Sequence, residues 1–194
     1  MNEKMSEIIK YGSTAKWLHW VIGVIVIIML IFGRTLESLE LAEREQIIMG
    51  HSGLGTLVLL LMIIRVAWHI SHETPGPTQT MGEWQVRLSK LMQGSFYVLL
   101  ILQPIFGILQ AMYLLDYEVL AFGVIDYSGM AANDVDKARL FHICHSLNSV
   151  ILSVLVIGHM GAALYHHFIQ KDDVLRRMLP FGKVKTRSES VEGQ

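Results

Sequence analysis

The chain has 194 residues, 52% of them hydrophobic and 17% charged, with a mean hydropathy of +0.43. That is too apolar for a water-soluble domain of this length and points to a polytopic membrane protein. The net charge of −1 gives no reason to expect nucleic acid, and a single cysteine excludes an internal disulfide and a cysteine-rich metal site.

Residues 1–14 are polar, and the first apolar run is too long for a signal-peptide core and lacks a clear cleavage site, so it reads as a first span. Ser13 or Thr14 is placed to cap it. Four spans can be drawn, roughly 15–33, 47–69, 90–112 and 143–168. Pro104 sits inside the third and should kink it. The expected architecture is an all-α, four-helix membrane bundle: an amino-terminal segment (1–14), the helical domain (15–180) and a polar tail (181–194).

Basic residues set the orientation. Lys4, Lys10, Lys16, Arg65, Arg87, Lys90, Lys171, Arg176, Arg177, Lys183, Lys185 and Arg187 fall on one side; only Arg34, Arg44, Lys137 and Arg139 fall on the other. Both termini are therefore expected on the cytoplasmic side. The outer loops also carry acids, among them Glu37, Glu40, Glu43, Glu45, Asp134 and Asp136, most of which read as solvated loop charges.

Span four holds two histidines in an otherwise apolar run, His145 and His159. Ring nitrogens facing lipid have no partner, so such residues turn to the bundle interior and to function. Fourteen residues of helix rise about 21 Å and rotate to within roughly 40° of four full turns. Both rings therefore share one face, one near each membrane surface. His51 lies near the outer end of span two and His19 near the inner end of span one. The depths pair His51 with His145 outside and His19 with His159 inside. Two ligands from two helices at each depth is what a six-coordinate haem requires. Zinc or copper would want three or four convergent ligands, with a carboxylate or thiolate among them.

Other residues have two readings each. Gly50, Gly53 and Gly55 near His51, and Gly158 and Gly161 near His159, could admit a porphyrin or simply pack helices tightly. Arg65 lies fourteen residues after His51 and so shares its face at the inner depth, where a haem propionate could pair with it; the alternative is snorkelling to headgroups. His69, His72, His166 and His167 sit at the inner surface as interfacial residues; His166, seven residues after His159, could border a quinone site. His142 is rotated about 100° off the stripe and makes a poor ligand. Trp17, Trp20, Trp68 and Trp84 mark interface belts, Gln93, Gln103 and Gln110 read as interhelical glue, and Cys144 as a small packing residue. Cys144 precedes His145, but position 141 is Phe, so covalent haem attachment is excluded.

Trp-Leu-His-Trp (17–20), Gly-His-Ser-Gly (50–53) with Arg65, Ala-Phe-Gly (121–123), His145, Gly158-His159 and Ala-Leu-Tyr-His-His…Lys-Asp…Leu-x-Arg-Met-x-Pro (163–180) together resemble the bacterial di-haem cytochrome b561 family over nearly the whole chain. One departure is Gln93, where a relative has histidine early in span three. The resemblance implies an inner-membrane bundle with two non-covalent b haems. Their ligands would be His19, His51, His145 and His159, with Arg65 as a further haem contact. It implies electron flow from an outer donor, superoxide being favoured, to ubiquinone near the inner face. Lys137 and Arg139 are the outer candidates for drawing in that anion. The alternative function is a non-catalytic cytochrome b subunit of a larger quinone-linked dehydrogenase or hydrogenase. Expected partners are membrane lipid, ubiquinone and superoxide or another periplasmic donor, without nucleic acid and with room for a homodimer.

Overall fold

The computed structural model describes residues 10–38, 41–78, 81–114 and 118–181. Lys4, Glu40, Lys183, Lys185 and Arg187 lie outside the described residues, as does most of the expected polar tail.

Four long helices make up the protein: α1 (Ser13–Phe32), α2 (Leu41–Ser71), α3 (Glu83–Met112) and α4 (Val135–Tyr165). Each contains a stretch long and apolar enough to cross a membrane. The architecture is a four-helix membrane bundle, and all four helices overlap the expected spans. Three reach further: α2, α3 and α4 start six, seven and eight residues earlier than the apolar runs suggested. Those first turns are polar and project beyond the hydrocarbon, so hydropathy alone cannot see them.

The helix starts explain themselves locally. Ser13 and Thr14 do not cap α1; Gly12 occupies that position without a side-chain hydrogen bond. At α3 the backbone N–H of Gly82 donates to Oε1 of Gln85 at 2.8 Å. At α4 the carboxylate of Asp134 accepts from the N–H of Lys137 at 3.1 Å, which satisfies one orphan amide of the first turn. That bond, ahead of the Lys137 side chain, holds the Asp134 carboxyl below the usual carboxylate range. Pro104 is buried inside α3, and the helix continues through it.

The core runs on heptads. Val26 on α1, Val58 on α2 and Leu152 on α4 are buried, and each stands seven residues from a histidine: His19, His51 and both His145 and His159. Seven residues return a helix to within about 20° of its starting face, so an aliphatic layer separates two histidine levels. Ile22, Met62 and Leu100 complete the layer. Outward the picture reverses: Ile31 is 61% exposed and Ile157 72%. Side chains of this kind facing outward all along the bundle need lipid as their solvent.

Helices adjacent in sequence pack against each other, α1 on α2, α2 on α3 and α3 on α4. Among the described residues, α4 makes no comparable close backbone approach to α1 or α2. α4 thus stands off from both α1 and α2, and its two histidines face one histidine on each of those helices.

Two smaller features close the ends. A hairpin of β1 (Leu120–Ala121) and β2 (Ile125–Asp126) lies on α2, with Ala121 fully buried. Its turn uses left-handed backbone at Phe122 and Gly123. Ser52 Oγ donates to the Leu120 carbonyl at 2.7 Å, and the Thr56 and Tyr127 hydroxyls meet at 3.1 Å. At the other end α4 runs into a wider turn, His166–Gln170. The following segment is tied to α1 by Trp20 Nε1–H on the Met178 carbonyl (3.0 Å), and to the α2–α3 connection by Arg177 on the Gly76 carbonyl (2.8 Å).

Candidate redox site

His51 and His145 stand with ring centroids 6.1 Å apart, and His19 and His159 with centroids 6.0 Å apart. A metal–imidazole bond is about 2 Å, so two rings on opposite sides of one ion have centroids roughly 6 Å apart. Both pairs have that separation. Among the described residues no three His, Cys, Asp or Glu side chains gather as a metal cluster. Among the described residues each level therefore offers two imidazoles, with no carboxylate or thiolate joining them in a three-residue cluster.

The outer pair opens on a cavity of about 810 Å³, lined by both rings and by residues of all four helices. Two glycines make room for the rings themselves. A Cβ on Gly33 would lie 3.2 Å from Cε1 of His51, and one on Gly107 would lie 3.2 Å from Cε1 of His145. Neither glycine stands out in the sequence, because each is remote along the chain from the histidine it serves. The sequence pointed instead to Gly50, Gly53, Gly55, Gly158 and Gly161. Gly53 packs against Phe122 of the hairpin, Gly55 lines the outer cavity beside Met29, and Gly158 faces Met92; Gly50 and Gly161 face open space.

His145 is fixed by a chain of amides. Asn148, 4% exposed, donates through Nδ2 to the Leu99 carbonyl at 3.0 Å and to Oε1 of Gln103 at 2.6 Å. That turns the Gln103 amide nitrogen toward Nε2 of His145, 3.1 Å away. Nδ1 of His145 lies 2.9 Å from the Gln103 carbonyl, an obligatory acceptor. Both ends of the chain assign the ring proton to Nδ1. Nε2 keeps its lone pair, as a metal ligand must, and the backbone bond orients the ring. The side-chain amide on Nε2 is an ordinary exchangeable hydrogen bond, far weaker than metal ligation. Gln103 is thus more than interhelical glue, while Gln93 is exposed and Gln110 lines the outer cavity.

At the inner level Phe96 meets His159 edge-on at 5.4 Å and Trp20 meets His19 at 5.8 Å. Arg65 stands fourteen residues after His51 on the same face of α2. It lines a second cavity of about 290 Å³ with Lys10, Tyr11, His69, His72 and Tyr97. Burial, and after it the neighbouring Tyr97, raise the pKa of the Tyr11 phenol, against the pull of Arg65 and Arg177.

The remaining expected residues divide. Arg139 lines the outer cavity, as do Arg34, Arg44 and His142. Lys137 does not; its ammonium pairs with Asp134 at 3.0 Å and lies 5.2 Å from the centre of the Tyr113 ring. His69 stacks on Tyr97 and His72 on Trp68. His166 is not an interfacial residue in water: it is 7% exposed, with Nδ1 2.6 Å from the buried carboxylate of Asp172. The turn from His166 to Gln170 folds the chain back so that six residues of separation become contact, which straight-helix geometry does not anticipate.

The sequence model of prokaryotic cytochrome b561 matches residues 10–181. The cytochrome b561 homolog 1 of Escherichia coli (strain K12) is 29% identical over 180 residues, covering 88% of this chain and 97% of that protein. A protein of Yersinia pestis named as a probable superoxide oxidase is 31% identical over 175 residues, covering 88% of this chain and 96% of its own. Cytochrome b562 of Cereibacter sphaeroides is 26% identical over 168 residues, covering 84% and 90%. A four-helix membrane bundle with two facing histidine pairs, matched from Lys10 to Phe181, belongs to the prokaryotic cytochrome b561 family.

Proposed function

We propose that this protein is a di-haem cytochrome of the bacterial inner membrane that takes electrons from superoxide at its outer face and delivers them to ubiquinone near its inner face. Family membership implies electron transfer in a bacterial membrane and haem b. In our reading His51 and His145 hold the outer haem, and His19 and His159 the inner one. The observation that carries it is the pair of ring separations, 6.1 and 6.0 Å, at two levels of one bundle. The donor set fits: two imidazoles per level, that of His145 with its proton fixed on Nδ1, and at the outer level a cavity roomy enough for a large planar ligand. Cys144 stands alone, so retention is by ligation and burial.

Bound haem supplies one-electron chemistry at each level. The chain's own residues do the rest. The heptad layer of Val26, Val58, Met62, Leu100 and Leu152 keeps water from linking the two levels. Arg139 at the outer cavity offers positive charge to an incoming anion, while the charge of Lys137 is taken up by Asp134. Superoxide gives up one electron and leaves as dioxygen; two such electrons with two protons from the inner side convert ubiquinone to ubiquinol. The resemblance to a protein named as a probable superoxide oxidase supports this donor.

The purified chain with a ubiquinone analogue should turn over superoxide, at a rate that falls with salt because exposed charges are screened over about 8–10 Å. Charge reversal at Arg139 should slow haem reduction without loss of haem. Reduction that is slow and indifferent to salt and to this charge would replace the superoxide assignment with that of an electron-carrying subunit of a larger complex.

A further inference from the structure

We propose that Arg34 and Arg44 form a carboxylate seat at the mouth of the outer cavity, and that its occupants are the propionates of the outer haem; this rests on the assignment of that haem to His51 and His145. Both arginines line the cavity that holds the two histidines. Arg34 directly follows Gly33, the glycine pressed against His51. Arg44 stands seven residues before His51 on α2, so it lies within about 20° of the same face and roughly 10 Å outward. The two are tied to one short turn, Gly33–Ser38: Nε of Arg44 donates to the Leu36 carbonyl at 3.0 Å. One guanidinium thus reaches the rim from the end of α1 and the other from the start of α2.

A planar guanidinium meets a carboxylate with two parallel N–H bonds, and two of them suit a ligand bearing two carboxylates. The arrangement repeats that of Arg65 at the inner level, fourteen residues after His51 on the same face. A diffusing anion such as superoxide shares this chemistry, but the two sources leave different traces. A propionate belongs to the haem, so the arginines' charge is felt in the haem's potential. A diffusing anion feels them only on approach.

The test is a redox titration of the full holoprotein in detergent, following both haems in wild type, R34Q, R44Q and the double variant. With propionates in the seat, the outer haem's reduced-to-oxidised ratio at a fixed solution potential should fall roughly five-fold or more per arginine removed, since a nearby cation favours the reduced form. The inner haem should be unmoved, haem content should stay at two per chain, and the salt dependence of reduction by superoxide should persist. R44K, which keeps the charge, should shift the outer haem less than R44Q. An outer ratio unchanged in R34Q overturns the seat, whether or not the Arg44 variants fold. Unchanged potentials with lost salt dependence would assign the arginines to the diffusing anion instead. A wild-type chain with one haem, or an outer haem that survives His145→Ala, would overturn the underlying assignment and the seat with it.

Discussion

Gln103 holds His145 at both ring nitrogens: its carbonyl lies 2.9 Å from Nδ1 and its side-chain nitrogen 3.1 Å from Nε2. The two contacts have different standing. The carbonyl belongs to the backbone of α3 and fixes the tautomer, whereas the amide is held only through Asn148.

Gln103→Leu removes the amide and leaves the carbonyl. The outer haem should remain, because the Nδ1 bond to the backbone carbonyl is untouched and Nε2 keeps its lone pair. Thermal stability should fall by about 1 kcal/mol, the net worth of the Asn148–Gln103 hydrogen bond that leucine cannot replace. Haem analysis and a melting curve on the same sample check both statements. An outer haem lost at unchanged stability would contradict this division of labour.

Gly107 faces the ring of His145 closely enough that any side chain must push it. Gly107→Val should displace the ring and strip the outer haem while sparing the inner one. Gly161→Ala, where a Cβ meets nothing within 4 Å, should leave both haems in place. Haem content and the visible spectrum of the two variants check this. Wild-type haem content in Gly107→Val would show that the ring has room to move.

Arg65 lines the inner cavity with Tyr11, His69 and Tyr97. Arg65→Met keeps much of the side chain's length and removes its charge. The inner haem's potential should fall, and the outer haem, about 21 Å away along the helix, should move much less. A potentiometric titration separates the two; equal shifts, or none, would return Arg65 to the headgroups.

How far the sequence reached depended on whether a feature lived on one helix. Apolar length gives the four spans, and the 14-residue spacing of His145 and His159 gives a shared face, because both are properties of a single helix. The partners His19 and His51 follow from depth once orientation is set. What stayed hidden lives between helices or in irregular backbone. Gly33 and Gly107 matter only because a histidine of another helix faces them. The hairpin at 120–126 is too short to carry a pattern, and Ser52 and Thr56 of α2 tie it in place. The His166–Asp172 contact depends on a turn that no helical wheel describes. Lys137 reads from the sequence as an outer charge for an incoming anion, and the structure pairs its ammonium with Asp134 at the start of α4.

The central claim is that the four histidines hold two haems, and haem stoichiometry per histidine variant tests it most directly. Acid–acetone extraction of the purified chain should release two b haems per polypeptide. His51→Ala or His145→Ala should remove the outer one, and His19→Ala or His159→Ala the inner. His142→Ala, which changes a cavity residue outside the facing pairs, should keep both. One haem or none in the wild type, or a haem lost from His142→Ala and retained in His145→Ala, would contradict it.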